Sequence, residues 1–403
     1  MSKKNSEKQK KIRVIIFGYC SATNMIIKRL QPNVKVVGIS DRYSNLTSLA
    51  NLSYYPLSEL KAKEQEYDYI IITERYRIKA LETFEMINKI GINKTKIIPY
   101  FCYASFERYR VIFENNKNND IKGLIFGNSH ATYGYDTDFL SVSTINLSLP
   151  GSDIFDISQT VERVLKEYGD RLKKVSFILM DCWAYNFINI DNSRSNSYIA
   201  NMVHYGYITE RHNYAVNSDK EFIDELKRRQ HVFVNNSKIQ AVMKKIFGNQ
   251  GIWDDEEYSE DIVNKKWSVL PKYPLDSIPM AEIIGAGMME AREDTIEENQ
   301  KLLKNMIKTI KNFNPNTKII FTLMPRFNLS QNVFEPFLEK WKPIFENVMT
   351  QLIKKYEVIL MDYTKCSEIA QERDLFFDWT HLNAAGAAYM TSIVDKDIMD
   401  IIN

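Results

Sequence analysis

Short apolar runs recur along this chain, and segments of helical periodicity lie between them. Arg13-Val14-Ile15-Ile16-Phe17, Val34 to Ile39, Tyr67 to Thr73 and Lys96-Ile97-Ile98-Pro99 read as strands. Ala22 to Leu30, with Ser21 as N-cap, and Ile78 to Ile90 read as the helices between them. Runs this continuous suit strands buried on both faces, and strands alternating with helices pair in parallel through right-handed crossovers. The pattern resumes downstream. Ile121 to Phe126, Ser143 to Asn146, Val175 to Met180, Thr317 to Leu323 and Val358 to Met361 read as strands. Ile154 to Tyr168, Glu293 to Phe313, Phe334 to Tyr356 and Ala384 to Ile402 read as helices. The expected fold is α/β, with two parallel sheets.

A chain of 403 residues suits two domains. An amphipathic, aromatic helix over Tyr100 to Phe113 leads into the polar linker Asn115 to Asp120, where the boundary is expected. The organisation read from this is a disordered basic tail over 1–11 and a first domain over 12–100. A connecting helix and linker over 101–120 then lead to a second domain over 121–403. That second domain carries an insertion over about 184–290, containing Trp253 and Trp267, which reads equally as a lid or as packing on the sheet edge. Net charge is only +2, so bulk attraction to nucleic acid is not expected. Cys20, Cys102, Cys182 and Cys366 form no CxxC pair, and His204, His212 and His231 lack ligand spacing, so no metal site is expected. No transmembrane run is found, which makes a cytoplasmic location the default; the oligomeric state stays open.

Two short motifs carry the chemistry. Gly127-Asn128-Ser129-His130 follows the run Leu124-Ile125-Phe126, which places Ser129 at a strand-to-helix turn. Asp378-Trp379-Thr380-His381 offers an acid and an imidazole three residues apart. A serine hydroxyl needs a base to remove its proton as it attacks, and an imidazole titrates in the working range. Ser129 is therefore the expected nucleophile, His381 the base and Asp378 the group that orients it. Alone, Ser129 reads as a helix cap and His381 as a surface turn; the two motifs together favour catalysis. Asn128 is expected to brace its turn through Asx hydrogen bonds. His130 reads as a substrate contact or a structural residue at the helix start. Arg326, at the end of a strand, holds an anionic substrate group or a surface ion pair, and Trp379 packs beside the triad.

These blocks resemble the SGNH, or GDSL-like, hydrolase superfamily over roughly residues 121–403. That resemblance implies a flavodoxin-like three-layer domain and an oxyanion hole built from the backbone N–H groups of Ser129 and Gly151. Gly151 closes Asn146-Leu147-Ser148-Leu149-Pro150-Gly151, which is similar to the family's second block, with Ser148 in place of its middle glycine. The third block is not recognisable: the strand end reads Met180-Asp181-Cys182-Trp183, and Asn186, the substitute donor, comes slightly late. The first domain resembles the Rossmann-like N-terminal domains of bacterial glycan-assembly enzymes. Gly18 and Asp41 stand where a dinucleotide fingerprint has its first glycine and its ribose ligand, but Cys20 and Thr23 replace the next two glycines. No cofactor is required by this reading, and the first domain is open to a nucleotide or nucleotide-sugar. The implied activity is that of a serine esterase or O-acyltransferase on an acylated, chiefly acetylated, carbohydrate in surface-glycan metabolism. The competing readings are a non-catalytic sugar-nucleotide or glycan-binding protein, and an NAD-dependent enzyme using the first domain.

Overall fold

A computed structural model of the chain describes residues 11–18, 21–42, 48–49, 52–74, 77–101, 108–191, 237–248, 290–328, 338–378 and 380–402. The tail over 1–10 and Trp379 lie outside the described residues. The chain is α/β and divides into two compact units. One comprises residues 1–111 together with 203–206 and 221–254, and the other takes the rest.

The first unit is built on β1 (Ile12–Phe17), β2 (Val34–Ser40), β3 (Ser48–Leu49), β4 (Leu52–Tyr54), β5 (Tyr69–Ile72) and β6 (Ile97–Pro99). Helices α1 (Ser21–Lys28) and α2 (Arg77–Lys89) alternate with them. The sheet order is β3-β4-β2-β1-β5-β6, parallel except for the short antiparallel pair β3 and β4. From β1 the chain winds outward through β2 and β4, then crosses back to β5 and β6. This is the Rossmann-like arrangement, with its switch of direction between β1 and β5. Val14, Ile15 and Ile16 in β1 and Ile70, Ile71 and Ile72 in β5 are fully buried, as central strands covered on both faces must be.

The same core contains a helix from the middle of the expected insertion. After α3 (Arg108–Asn115), β7 (Gly123–Phe126), α4 (Ser129–Gly134), β8 (Thr144–Asn146), α5 (Ile154–Tyr168) and β9 (Phe177–Asp181) comes α6 (Ser237–Phe247). Its Ile239, Met243, Ile246 and Phe247 recur at helical spacing and are buried in the first unit's core, while Lys244 and Lys245 face outward. The Gln31 backbone N–H donates to the Ile246 carbonyl at 2.8 Å, and its side-chain amide donates to Phe247 at 3.1 Å. The insertion over 184–290 is therefore not wholly an elaboration of the second domain, as the sequence suggested. Part of it completes the first.

The second unit has a five-stranded sheet in the order β11-β10-β9-β7-β8, where β10 is Lys318–Leu323 and β11 is Ile359–Asp362. Every pairing in it is parallel. Counted from β7, this is the 2-1-3-4-5 flavodoxin-like order, with the direction switching between β7 and β9. Helix α5 packs beside α7 (Glu293–Phe313), which also meets α8 (Lys342–Tyr356). On the other face α4 packs against α10 (Ala384–Ile402), beyond the short α9 (Ser367–Ala370). Reversal of winding at the switch puts these two groups of helices on opposite faces, giving three layers. A reciprocal capping box starts α5: the Asp156 N–H donates to Asp153 at 3.0 Å, and the Asp153 N–H donates back to Asp156 at 3.1 Å.

Two asparagines close the root of the insertion. Asn189 donates to the Glu290 carbonyl at 3.0 Å and accepts from the Arg292 N–H at 2.9 Å. Asn299, fully buried on α7, donates to the Ile188 and Ile190 carbonyls at 2.9 and 3.0 Å. The two ends of the insertion are thus pinned to each other and to α7 within the second unit. Among the described residues, no helix is long and apolar enough to cross a membrane.

Candidate active site

The sheet's direction of winding switches between β7 and β9, and open α/β sheets bind ligands beyond the carboxyl ends of the strands at such a switch. Strand β7 delivers Ser129 to that edge. Gly127 makes the delivery possible: a Cβ there would lie 2.7 Å from the Ala131 Cβ and 3.0 Å from the Asp181 Cβ, so only a glycine lets the turn pass this close to β9. Asn128 caps α4, its side-chain oxygen accepting the His130 N–H at 2.9 Å, as the Asx reading expected. Ser129 sits at the first position of that helix and is half-buried.

The distant motif arrives on the loop before α10. Ser129 Oγ lies 2.8 Å from His381 Nε2, and His381 Nδ1 lies 2.8 Å from Asp378 Oδ2. The second Asp378 oxygen accepts the backbone N–H groups of Thr380 and His381, both at 2.8 Å. These two bonds fix the carboxylate plane, so its free oxygen meets the ring nitrogen squarely. Burial pushes the Asp378 carboxyl up, but the His381 hydrogen bond, the attraction of that ring when it is protonated and the two backbone N–H groups outweigh it and hold the group below its ordinary value. An ionised acceptor facing Nδ1 keeps the proton there and leaves Nε2 bare, the tautomer that can take a proton from Ser129.

A stack of planar groups lies behind this line. The His381 ring packs on His130, with centroids 4.3 Å apart and planes 25° apart. His130 packs in turn on Trp183 at 4.9 Å and 19°. The Arg326 guanidinium covers the Trp183 ring at 4.7 Å, and Arg326 donates to the Trp183 carbonyl at 3.3 Å. Trp183 holds φ at +45°, rare for a bulky residue, in a three-residue turn closed by the Ala184 N–H on Cys182. Asp181, at the end of β9, accepts the Trp183 N–H at 3.1 Å. Burial pushes Asp181 up to about 7, against the opposing pull of the Trp183 N–H and the Arg326 charge. Burial likewise brings Arg326 down to about 10, so it stays charged at neutral pH. Burial, then the charges of His381 and Arg326, hold His130 well below the usual histidine range, so it is neutral.

The structure therefore joins Ser129, His381 and Asp378 and stacks His130, and through Trp183 also Arg326, behind them. His130 is 7% exposed and Arg326 6%, so both are built into the wall behind the triad and neither lines an open surface. Gly151 has φ of +79° and turns the chain just ahead of α5. Asn186 is buried on a 3-10 turn over Tyr185–Asn189, its side-chain oxygen without a partner among the described residues. In the first unit, Gly18 takes φ of +89° at the end of β1, and the Thr73 hydroxyl donates to its carbonyl at 2.7 Å. Thr23, at the third glycine position, is fully buried, and Asp41 follows β2. No cluster of three or more metal-ligating side chains is present among the described residues. Trp183 and Asp181 were missed as site residues. Their only signal was an acid and a tryptophan ending an apolar strand, where the resemblance called for a glycine and an asparagine.

Residues 10–98 match the family model described as C2185-like, N-terminal. No curated protein matches the chain. Among solved structures, the chain is similar to a candidate platelet activating factor from Streptococcus pneumonia, at 12% identity and a TM-score of 0.33. That match covers 75% of this chain and 95% of the other. A likeness at that level carries no argument about chemistry.

Proposed function

We propose that the second unit is a serine esterase or O-acyltransferase of the SGNH type. The observation that carries this reading is the unbroken line from Ser129 Oγ through the His381 ring to Asp378, with both links at 2.8 Å. Ser129 attacks the carbonyl carbon of an ester while its proton passes to His381 Nε2. The tetrahedral intermediate collapses, the bond to the leaving alcohol breaks, and that alcohol takes the proton from His381. The acyl group now sits on Ser129. His381 next removes a proton from water or from a sugar hydroxyl, which attacks the acyl-serine and regenerates it. Water makes the protein an esterase, and a sugar makes it a transferase.

The N–H groups of Ser129 and Gly151 are the donors proposed for the developing oxyanion, with Asn186 as a third. Each well-aimed donor contributes about 3 kcal/mol to the transition state. The substrate class proposed is an acylated, chiefly acetylated, carbohydrate of surface-glycan metabolism, handled in the cytoplasm, with a nucleotide or nucleotide-sugar as ligand of the first unit. The test is acetate release from p-nitrophenyl acetate and from acetylated monosaccharides, with Ser129→Ala as control. Turnover that vanishes in Ser129→Ala supports the reading. Equal rates for wild type and Ser129→Ala, with the fold intact, overturn it in favour of a binding protein.

A further inference from the structure

Two adjacent imidazoles in face-to-face contact at a proton-transfer site are an unusual arrangement, because two charged rings would repel. The structure shows which of the two stays neutral. The backbone N–H of His130 donates to the Asn128 side chain at 2.9 Å, so the Asn128 atom facing it is the oxygen. The same oxygen lies 3.2 Å from His130 Nδ1, and an oxygen of an amide only accepts, so Nδ1 carries the ring proton. Nε2 is then a bare acceptor. It is buried, with no hydrogen-bond partner among the described residues, so nothing there would stabilise a second proton. Geometry thus fixes His130 as a neutral ring in one tautomer. Trp183 holds its far face and His381 occupies its near face.

The near face meets a ring that becomes positive during turnover. A cation over a desolvated aromatic face is attracted to it, and here that face belongs to a neutral imidazole. We propose that His130, locked neutral by Asn128 and braced by Trp183, is a positioning residue that seats the His381 imidazolium formed as Ser129 attacks. The proton itself travels only from Ser129 to His381 and on to the leaving alcohol; His130 neither gains nor loses one. This rests on the reading of Ser129, His381 and Asp378 as a triad. Other groups among the described residues also meet the two rings, the Thr380 hydroxyl at 3.3 Å from His381 Nδ1 included. Asp378 meets His381 Nδ1, the Tyr133 ring stands edge-on to His381 at 5.9 Å, and Phe377 lies at 6.4 Å. On the other side the Arg326 charge, with Asp181 near it, stands behind Trp183.

The experiment compares wild type, His130→Phe and His130→Leu in the full chain, each checked for folding by its thermal melt. Phenylalanine keeps a π-face of similar size, whereas leucine keeps only bulk. Two readouts are taken. One is the titration midpoint of the His381 ring by NMR, assigned by its loss in His381→Gln. The other is kcat and KM on p-nitrophenyl acetate. His130→Phe should keep the midpoint and kcat near wild type. His130→Leu should lower the midpoint by about half to one pH unit and kcat by roughly 3- to 10-fold, with KM unchanged. A leucine variant indistinguishable from wild type in both readouts overturns the proposal, and so does a phenylalanine variant that falls as far as leucine. The titration does not depend on turnover. If wild type hydrolyses no ester, the triad reading fails by itself, while the midpoints still decide whether His130 seats the imidazolium.

Discussion

Asp378→Asn isolates the orienting role of the carboxylate from its role in the fold. One Asp378 oxygen accepts two backbone N–H groups at 2.8 Å, from Thr380 and His381. An amide can keep both bonds only by placing its own oxygen there. Its NH2 then points at His381 Nδ1, where the carboxylate now accepts at 2.8 Å. Two donors cannot face each other, so the ring shifts its proton to Nε2, and the atom 2.8 Å from Ser129 Oγ becomes a donor. The base is lost while the loop stays intact. The expected loss is about 10⁴-fold in kcat, or about 5.5 kcal/mol of transition-state stabilisation, with KM and thermal stability close to wild type. Asp378→Ala should behave differently, since two N–H groups lose their acceptor and the loop itself weakens. Steady-state hydrolysis of p-nitrophenyl acetate with parallel thermal melts reads both quantities. Asp378→Asn activity within tenfold of wild type would refute the tautomer argument.

Further outcomes concern the wall of the site and the first unit. Asp181 sits near 7 in the folded chain, whereas an unperturbed aspartate titrates at about 3.9. Between these values the native state holds a proton that the unfolded chain has released, so stability falls as pH rises through that window. Asp181→Asn should therefore match wild type at pH 4 and exceed it at pH 8 by up to ~4 kcal/mol, less what Arg326 loses with its neighbour. Denaturant titrations at the two pH values check this, and a wild-type stability that is flat between them would contradict it. Ile246 is fully buried in the first unit's core, so Ile246→Ala should destabilise that unit by about 2–4 kcal/mol. Hydrogen exchange of β1 and β5 amides reads the change, and unaltered protection there would show that α6 is not part of that core.

Much of the fold was legible because continuous apolar runs such as Val14 to Phe17 and Phe177 to Met180 have few alternatives to a doubly covered strand. The pair β3 and β4 was not, since two and three residues are too short for any alternation to show. Helix α6 shows the limit of periodicity. The spacing of Ile239, Met243, Ile246 and Phe247 marks a buried face but does not say which core receives it. The triad candidates could be read because strand context and motif order constrain where Ser129 and His381 emerge. The stack behind them could not. His130, Trp183 and Arg326 follow three different strands, β7, β9 and β10, and only the sheet order brings those strand ends together. Arg326 was correctly placed at the strand edge, yet its partner turned out to be an aromatic face, which one sequence position cannot reveal.

The central claim is that the Ser129 hydroxyl is activated by His381 and can be reached from solvent. Treatment with a fluorophosphonate probe followed by intact-mass and peptide mapping tests it most directly. The account predicts one adduct per chain, on Ser129, abolished by Ser129→Ala and strongly slowed by Asp378→Asn. A folded protein that stays unmodified, or that carries the adduct on another serine, would contradict it.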